Sequence, residues 1–542
     1  VGLRRTGGVS SMKGIISGEQ VGNAARFDKQ FRVPRRPSRR LGVDIEIRED
    51  ATILWGSDRL QTFTGGMKPS LIEDILRACD GTKTARELAS VCDVTEPLMD
   101  KIVALLWVSG AIEEAGPTDV ESSPLGVLLS RLGNATGANA SWQEAQHRIN
   151  SMPICVMPHS ELGTEVAGAL AGTFEVINEE AAFERGVVLF IFIETASSKI
   201  EQHHKFDELT KRRVLLVSAA GDEVVVGPLY DQAITPCLRC CSSSRIKLDR
   251  GASSPAQLRL MAGIVSHHIV ALVSRALLSP LPTDSLALNV VTGVQRYSPP
   301  VSRPGCPECS HAIPAIASEP TVGAVYEASV ALPPREFVNV RDYQAHFLSA
   351  NQQLQTKFKS WGKREKFPLP DINISDLHIQ IDDLLFLAAA LRFGFGIDPE
   401  RTTSKIAKRW TASGGNIGSV NAFVSLPAMV GHIPSGIYGY SVSDHSLAKV
   451  SQELISATDI MIAASADLRK IASKYGTFGL RIAIMDAGCA LSTVRRVCRE
   501  VGRTFSMWSA DLDAGSISEM LHLSSAREPI IGVSVLGKGQ RG

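Results

Sequence analysis

No run of eighteen consecutive apolar residues occurs in the 542-residue sequence, so no segment reads as a membrane-spanning helix. The net charge is only +1 and the basic residues are not blocked together, so the stripe of Lys and Arg that marks a nucleic-acid-binding protein is missing. Arg4-Arg5 are followed by no apolar core; no secretory signal is read, and a cytoplasmic location is expected. What is present is an apolar fraction of 44%, ample for packed cores, in a chain long enough for about three domains. Four of the ten cysteines fall in two CxxC pairs. Without a signal, these point to metal or redox chemistry rather than a disulfide framework.

The patterning predicts a multidomain chain of mixed α/β and α+β class. Residues 1–41 are rich in Arg, Gly and Pro and are expected to be poorly ordered or extended. Residues 42–118 read as a compact unit. Asp44-Ile-Glu-Ile-Arg48 alternates like an edge strand, and Thr52-Ile-Leu-Trp55 looks like its partner. Three helical stretches follow, from Ser70 to Cys79, after Thr82, and from Pro97 to Gly110, and then a short closing strand. This is a winged-helix pattern, open to a DNA-binding, peptide-binding or purely structural role; the third helix is not basic, which weighs against DNA. Residues 119–150 contain Gly-Asn-Ala-Thr-Gly-Ala-Asn-Ala and read as a linker.

From 151 to 330 strands at Ile154–Met157, Phe174–Ile177, Val187–Ile193 and Val214–Val217 alternate with helix, which predicts a parallel α/β sheet. A nucleotide-binding version needs Gly-x-Gly-x-x-Gly after its first strand. Here the turn is Pro158-His-Ser-Glu-Leu-Gly163, with one glycine and a carboxylate that would repel a pyrophosphate, so neither ATP nor NAD is expected. Cys237-Leu-Arg-Cys240 and Cys306-Pro-Glu-Cys309 each offer two thiolates, and together they complete a tetrahedral Cys₄ zinc site; two unrelated thiol pairs are the alternative. Cys241 is surplus, and the adjacent His267 and His268 point to different faces of one helix.

Residues 338–542 hold the stretch Arg409-Trp-Thr-Ala-Ser-Gly-Gly-Asn416. Ser413, Gly414 and Gly415 form a turn whose backbone N–H groups can approach a flat ring or an anion. Lys408 and Arg409 precede it and could hold a phosphate. Ala422-Phe-Val-Ser-Leu follows as a buried strand. A basic residue, a small turn and a strand are what a flavin mononucleotide (FMN) site needs.

The ordered set of Ser413-Gly414-Gly415, Gly436-x-Tyr438-x-Tyr440, Lys474-Tyr475, Arg481, Ala487-Gly488 and Glu528-Pro529 before Gly537 resembles the nitroreductase-like flavin dehydrogenases that oxidise azolines to azoles in thiazole/oxazole-modified peptides of the microcin and cyanobactin type. Upstream, Gly227-Pro228 with the two CxxC pairs resembles the ubiquitin-activating-like, zinc-binding partner proteins of azole-forming synthetases. Cys79-Asp-Gly-Thr82 with Glu87-Leu88 and Gly110-Ala-Ile resembles their peptide-recognition element. The resemblance implies bound FMN and structural zinc. It implies a ribosomal precursor whose leader adds a strand to a sheet edge and lies against the third helix. A separate ATP-dependent cyclodehydratase and a homodimer are also implied. Tyr475 is then the candidate base and Lys474 its activator, lowering the phenol's pKa. Ser413 to Asn416 cradle the ring. Arg481 either holds phosphate or caps packing, and Gly537-Lys538 could touch the phosphate. A leader-binding scaffold whose flavin fold no longer turns over is the alternative. Ala412, Asn416 and Cys489 depart from the family pattern.

Overall fold

The computed structural model describes residues 18–27, 31–56, 60–65, 68–117, 122–195, 197–248, 251–310, 321–333, 349–377, 381–404, 406–508 and 513–537. They form two compact units that divide near Ala331.

The first unit opens with α1 (Gly18–Phe27) and β1 (Pro37–Arg39), so part of the N-terminal stretch expected to lack order is regular. β1 is held because its partner lies far along the chain: Pro37 to Arg39 pair antiparallel with β5 (Ile112–Glu114). The expected hairpin forms from β2 (Asp44–Ile47) and β3 (Ala51–Trp55), and β4 (Gln61–Thr64) adds a third strand that the pattern did not signal. α2 (Pro69–Ala78), α3 (Ala85–Val91) and α4 (Glu96–Val108) follow. Thr84 and Glu87 close α3 with a reciprocal capping box, which is why that helix starts where it does.

The supposed linker is helical. α5 (Pro124–Leu132) starts on the Ser123 cap with proline in its first turn, and α6 (Trp142–Asn150) buries Trp142, Ala145 and Ile149. The small polar residues between them mark only the short connection.

The α/β portion is built on a six-stranded sheet in the order β11-β10-β9-β8-β7-β6. β6 (Ile154–Met157), β7 (Leu189–Glu194) and β8 (Arg213–Ala220) run parallel. β9 (Glu223–Tyr230), β10 (Ser285–Asn289) and β11 (Gln295–Ser298) are antiparallel, so the expectation of a parallel sheet holds for half of it. A tight Gly221-centred turn joins β8 to β9, and a two-strand hairpin cannot be parallel. Residues 174–177 make only a single bridge, Val176 to Ile154. Helices cover both faces, which is why β7 is apolar from Leu189 to Ile193. α7 (Glu161–Leu170) and α11 (Pro255–Ser274) pack with α6 on the face of Ile154, Ile191 and Leu215. α8 (Glu179–Glu184), α9 (Phe206–Leu209) and α10 (Leu238–Ser243) cover Phe190, Phe192 and Leu216. α11 is long and apolar enough to cross a membrane by length and composition, and it buries Met261, Val265 and Ile269 against this sheet. α12 (Val322–Ser329) follows.

The second unit is a seven-stranded antiparallel sheet, β12-β15-β14-β13-β16-β18-β17. Its strands are β12 (Lys366–Pro368), β13 (Val420–Leu426), β14 (Gly436–Ser441), β15 (Ser446–Ser451), β16 (Ile460–Ala466), β17 (Thr504–Met507) and β18 (Ile530–Gly537). Side chains alternate: Ala422, Val424 and Leu426 face α14 (Asp383–Phe395) and α16 (Gly479–Glu500), whereas Phe423 faces Trp361, Met461 and α17 (Ala514–Met520). α15 (Leu468–Tyr475) sits between β16 and α16.

Two expectations fail here. From sequence, Ser456 to Ala472 reads as an amphipathic helix, but Ile460–Ala466 is strand β16, its run of Ile, Met and Ala buried on both faces, and only Leu468 onward is helical. From sequence, 342–363 reads as a polar helix; its first residues lie outside the described ones, and from 349 the chain forms α13 (Ser349–Gln353) and one short turn, with no regular structure over 357–361.

Candidate functional site

In the second unit the Ser413–Asn416 turn is assembled from both directions. Gly415 adopts φ +60, and a Cβ there would stand 2.6 Å from Lys474 Nζ and 2.8 Å from Tyr475 Oη, so the two side chains converge on this residue. The ammonium lies 5.0 Å from the Tyr475 ring centre. Both residues are buried, at 9% and 8% exposure.

The turn is fastened by a residue the motif reading passed over. Asp486, on the buried stripe of α16, accepts the Gly414 N–H at 2.8 Å, the Ser413 hydroxyl at 2.9 Å and the Ser419 hydroxyl at 3.0 Å. Burial raises this carboxyl above its ordinary value, against the hydrogen bonds from Gly414, Ser413 and Ser419 and the charge of Arg409. A carboxylate among Ala483, Ala487 and Ala490 was the available signal.

Arg409 lies behind the turn. Its guanidinium donates to the carbonyls of Gln355 at 2.7 Å, Ile417 at 2.9 Å and Asn416 at 3.3 Å. Burial lowers its pKa to about 10. Asn416, at φ +58, donates to Gln355 Oε1 and to the Ala407 carbonyl. Lys470 donates to the carbonyls of Ile417 at 2.8 Å and Gly418 at 3.1 Å, and burial lowers it to about 7. Neither Lys470 nor Gln355 was foreseen.

The electrostatics reverse one expected role. Burial raises the Tyr475 phenol, and the Asp486 carboxylate raises it further. Burial lowers Lys474. The phenol is therefore not activated toward phenolate; the lysine is the group eased toward its neutral form.

Of the residues assigned to FMN, the turn residues Ser413, Gly414, Gly415 and Asn416 come together with Lys474 and Tyr475. Arg481 is half-buried one residue before Ile482, whose side chain packs on Gly414. Lys408 is exposed. Gly537 is not part of this group: it pairs with Thr504 at the end of β18 opposite the Val420–Ala466 pair, roughly 20 Å or more along the strands. Lys538 lies outside the described residues. Tested against FMN, the donor set fits at the ring end, where a positive-φ glycine, a lysine amine and a phenol meet. Arg409, expected at the phosphate, donates instead to carbonyls of the chain itself.

In the first unit the four predicted cysteines converge, all Sγ atoms lying within 4.8 Å of one another. Cys237 and Cys306 are 3.6 Å apart, as are Cys240 and Cys309. A tetrahedral zinc with Zn–S of about 2.3 Å spaces its sulfurs by roughly 3.8 Å, so this set fits one ion. Burial raises Cys237 and Cys240. It also acts to raise Cys306, but hydrogen bonds from the Glu308 and Cys309 backbone and from the Cys240 and Cys237 thiols outweigh it and bring that thiol to about 7. Cys241 is buried apart from this cluster and bonds to the Pro236 carbonyl.

The C-terminal ends of β7 and β8, where an α/β sheet usually receives a ligand, hold a buried ion pair. Arg245 bonds Glu194 at 2.7 Å and also donates to Ser218 Oγ and the Gly227 carbonyl. At the start of α7, the Ser160 hydroxyl accepts the Gly163 N–H.

No protein-family model matches the sequence, and no curated protein does. Among solved structures the chain is similar to a heterocyclase in complex with substrate and cofactor, at 16% identity over 51% of this chain and 39% of that one, TM-score 0.40. It is similar to the heterocyclase TruD, at 15% identity over 77% of this chain and 63% of that one, TM-score 0.40. It is also similar to a protein described as a nitroreductase from Ralstonia eutropha, at 15% identity over 33% of this chain and 93% of that one, TM-score 0.28. The chain thus spans less than two thirds of the length of either heterocyclase.

Proposed function

We propose that the chain takes part in maturing a ribosomally made peptide, and that its second unit is an FMN-dependent dehydrogenase that oxidises azolines to azoles. The observation that carries this reading is the meeting of Lys474 and Tyr475 at Gly415: motif pieces about sixty residues apart in sequence close on one glycine. FMN, when bound, supplies the two-electron redox step. The Ser413–Asn416 turn would hold the flat ring. Lys474, lowered by burial, would accept the proton that leaves the azoline, and the Tyr475 hydroxyl would orient the ring being oxidised.

In the first unit the β2–β4 sheet would receive a leader peptide by strand addition, and the Cys₄ cluster would hold a structural zinc. Ring closure would fall to a separate ATP-dependent cyclodehydratase. The exposed Ile484 and Met485, on the same helix as Asp486, offer a face for a homodimer.

A second reading is favoured by one observation: the Gly414 N–H and the Arg409 guanidinium are already engaged by the chain itself. On that reading the second unit is a non-catalytic part of a leader-binding scaffold. The test is to supply the purified protein with FMN and a thiazoline-bearing peptide without oxygen. Loss of two hydrogens from the peptide, by mass spectrometry, with bleaching of the flavin supports the dehydrogenase. If peptide maturation is unchanged by Tyr475→Phe and Lys474→Met, the scaffold stands instead.

A further inference from the structure

We infer that Glu179, His203 and His204 form a second metal site, which takes an exchangeable divalent transition ion such as zinc and is separate from the Cys₄ cluster.

The three side chains come from two segments that meet on the α8–α9 face of the α/β sheet. Glu179 is the first residue of α8, and the Asn178 side chain fixes that helix start by accepting the Ala181 N–H at 2.9 Å. His203 and His204 link the short turn Ile200–Gln202 to α9. His203 is extended, at φ −70 and ψ 136, where neighbouring side chains ordinarily point apart. Here both rings turn to the same side. Their centres are 4.5 Å apart, and each Nε2 lies 3.6 Å from the same oxygen, Glu179 Oε1. Phe192, fully buried on β7, meets the His203 ring edge-on at 5.7 Å and helps to fix its orientation.

At 3.6 Å the imidazoles do not hydrogen-bond the carboxylate. A tetrahedral zinc with bonds of about 2.0–2.1 Å spaces its N and O ligands by roughly 3.3–3.4 Å. The three atoms, all within 4.8 Å of one another, therefore stand at nearly the separation one ion requires. Two imidazoles select a transition ion over Mg²⁺ or Ca²⁺, which prefer oxygen ligands. The His204 side chain is 70% exposed and that of Glu179 33%, which gives an ion a way in and leaves a coordination position to water.

The hold is weaker than that of four thiolates. Lys205 donates its N–H to His203 Nδ1 at 3.3 Å, which places the ring proton of the neutral imidazole on Nε2. Ligation through Nε2 moves that proton to Nδ1 and gives up the Lys205 bond. The Lys205 ammonium, held over the Phe183 ring, adds like charge nearby. These costs make the ion exchangeable.

The test uses the untagged full chain and Zn²⁺, followed by titration calorimetry and elemental analysis. His204→Ala and Glu179→Gln each remove one ligand. The wild type should bind one zinc per chain that either variant binds at least about tenfold more weakly, since even loss of an outer partner costs a metal site that much. The site is counted as a difference between wild type and variant, so the result does not depend on how far the cysteine cluster is filled. Without added zinc all three proteins should melt together; added zinc should raise the melting temperature of the wild type more than that of either variant, and Mg²⁺ should not. If Glu179→Gln lowers the zinc-free melting temperature, His204→Ala alone decides. Equal zinc binding by the wild type and a variant that melts like it, or an equal response to Mg²⁺, overturns the inference.

Discussion

Asp486 accepts the backbone N–H of Gly414 at 2.8 Å, and through that bond a helix carboxylate sets the position of the turn on which Lys474 and Tyr475 converge. Two serine hydroxyls share the same carboxylate. Replacing Asp486 by Ala leaves three donors without their acceptor, the buried Ser419 hydroxyl and the half-buried Ser413 hydroxyl and Gly414 N–H. We expect a loss of about 2–4 kcal/mol of stability in denaturant unfolding, since each buried group left without a partner costs roughly 1–3 kcal/mol. Conversion to Asn, which keeps an acceptor oxygen, should cost less.

Lys470 sets a pH dependence. Its folded value of about 7 lies below the ordinary 10.5, so between these values the unfolded chain holds more protons than the folded one. The contribution of this group to stability is full above about 10.5 and is lost as pH falls toward about 7. The denaturation midpoint of the wild type, relative to Lys470→Met, should therefore rise with pH across that window.

The Cys₄ cluster predicts one bound metal per chain. Cys306→Ser should lower metal content, measured by elemental analysis, and lower the melting temperature, because a structural zinc stabilises the fold that binds it. Cys241→Ser, in a thiol outside the cluster, should leave metal content unchanged.

Arg245 and Glu194 fill the strand ends of the α/β sheet with a buried pair. Arg245→Met leaves the carboxylate buried without its cation and should cost about 3–5 kcal/mol in unfolding free energy. If the cost is near zero, the pair does not organise this end of the sheet.

The sequence carried the parts whose signal is local. Alternation over Asp44–Arg48 marked β2, and the apolar run beside it marked its partner β3. Paired cysteines marked a cluster that the fold brings within 4.8 Å. The turn Ser413–Asn416 and the Lys474-Tyr475 pair were legible as motifs, and the fold joins them at Gly415. What was lost depended on distant partners. β1 exists because of Ile112 to Glu114, and β16 looked helical because a strand buried on both faces has no alternation to read. Asp486 was invisible as a turn-holder because Gly414 is seventy-two positions away. Gly537 was misplaced because a glycine at a strand end says nothing about which end of the sheet it reaches.

The most direct test of the account is an FMN titration of the purified protein, followed by absorbance and flavin fluorescence, for the wild type and Gly415→Val. A Cβ at residue 415 would strike Lys474 Nζ and Tyr475 Oη, in a backbone conformation that disfavours any side chain. The account predicts saturable uptake by the wild type and at least about tenfold weaker uptake by the variant, a difference of about 1.4 kcal/mol or more. A wild type that takes up no FMN, or a variant that binds it equally well, would contradict a flavin site built on this glycine.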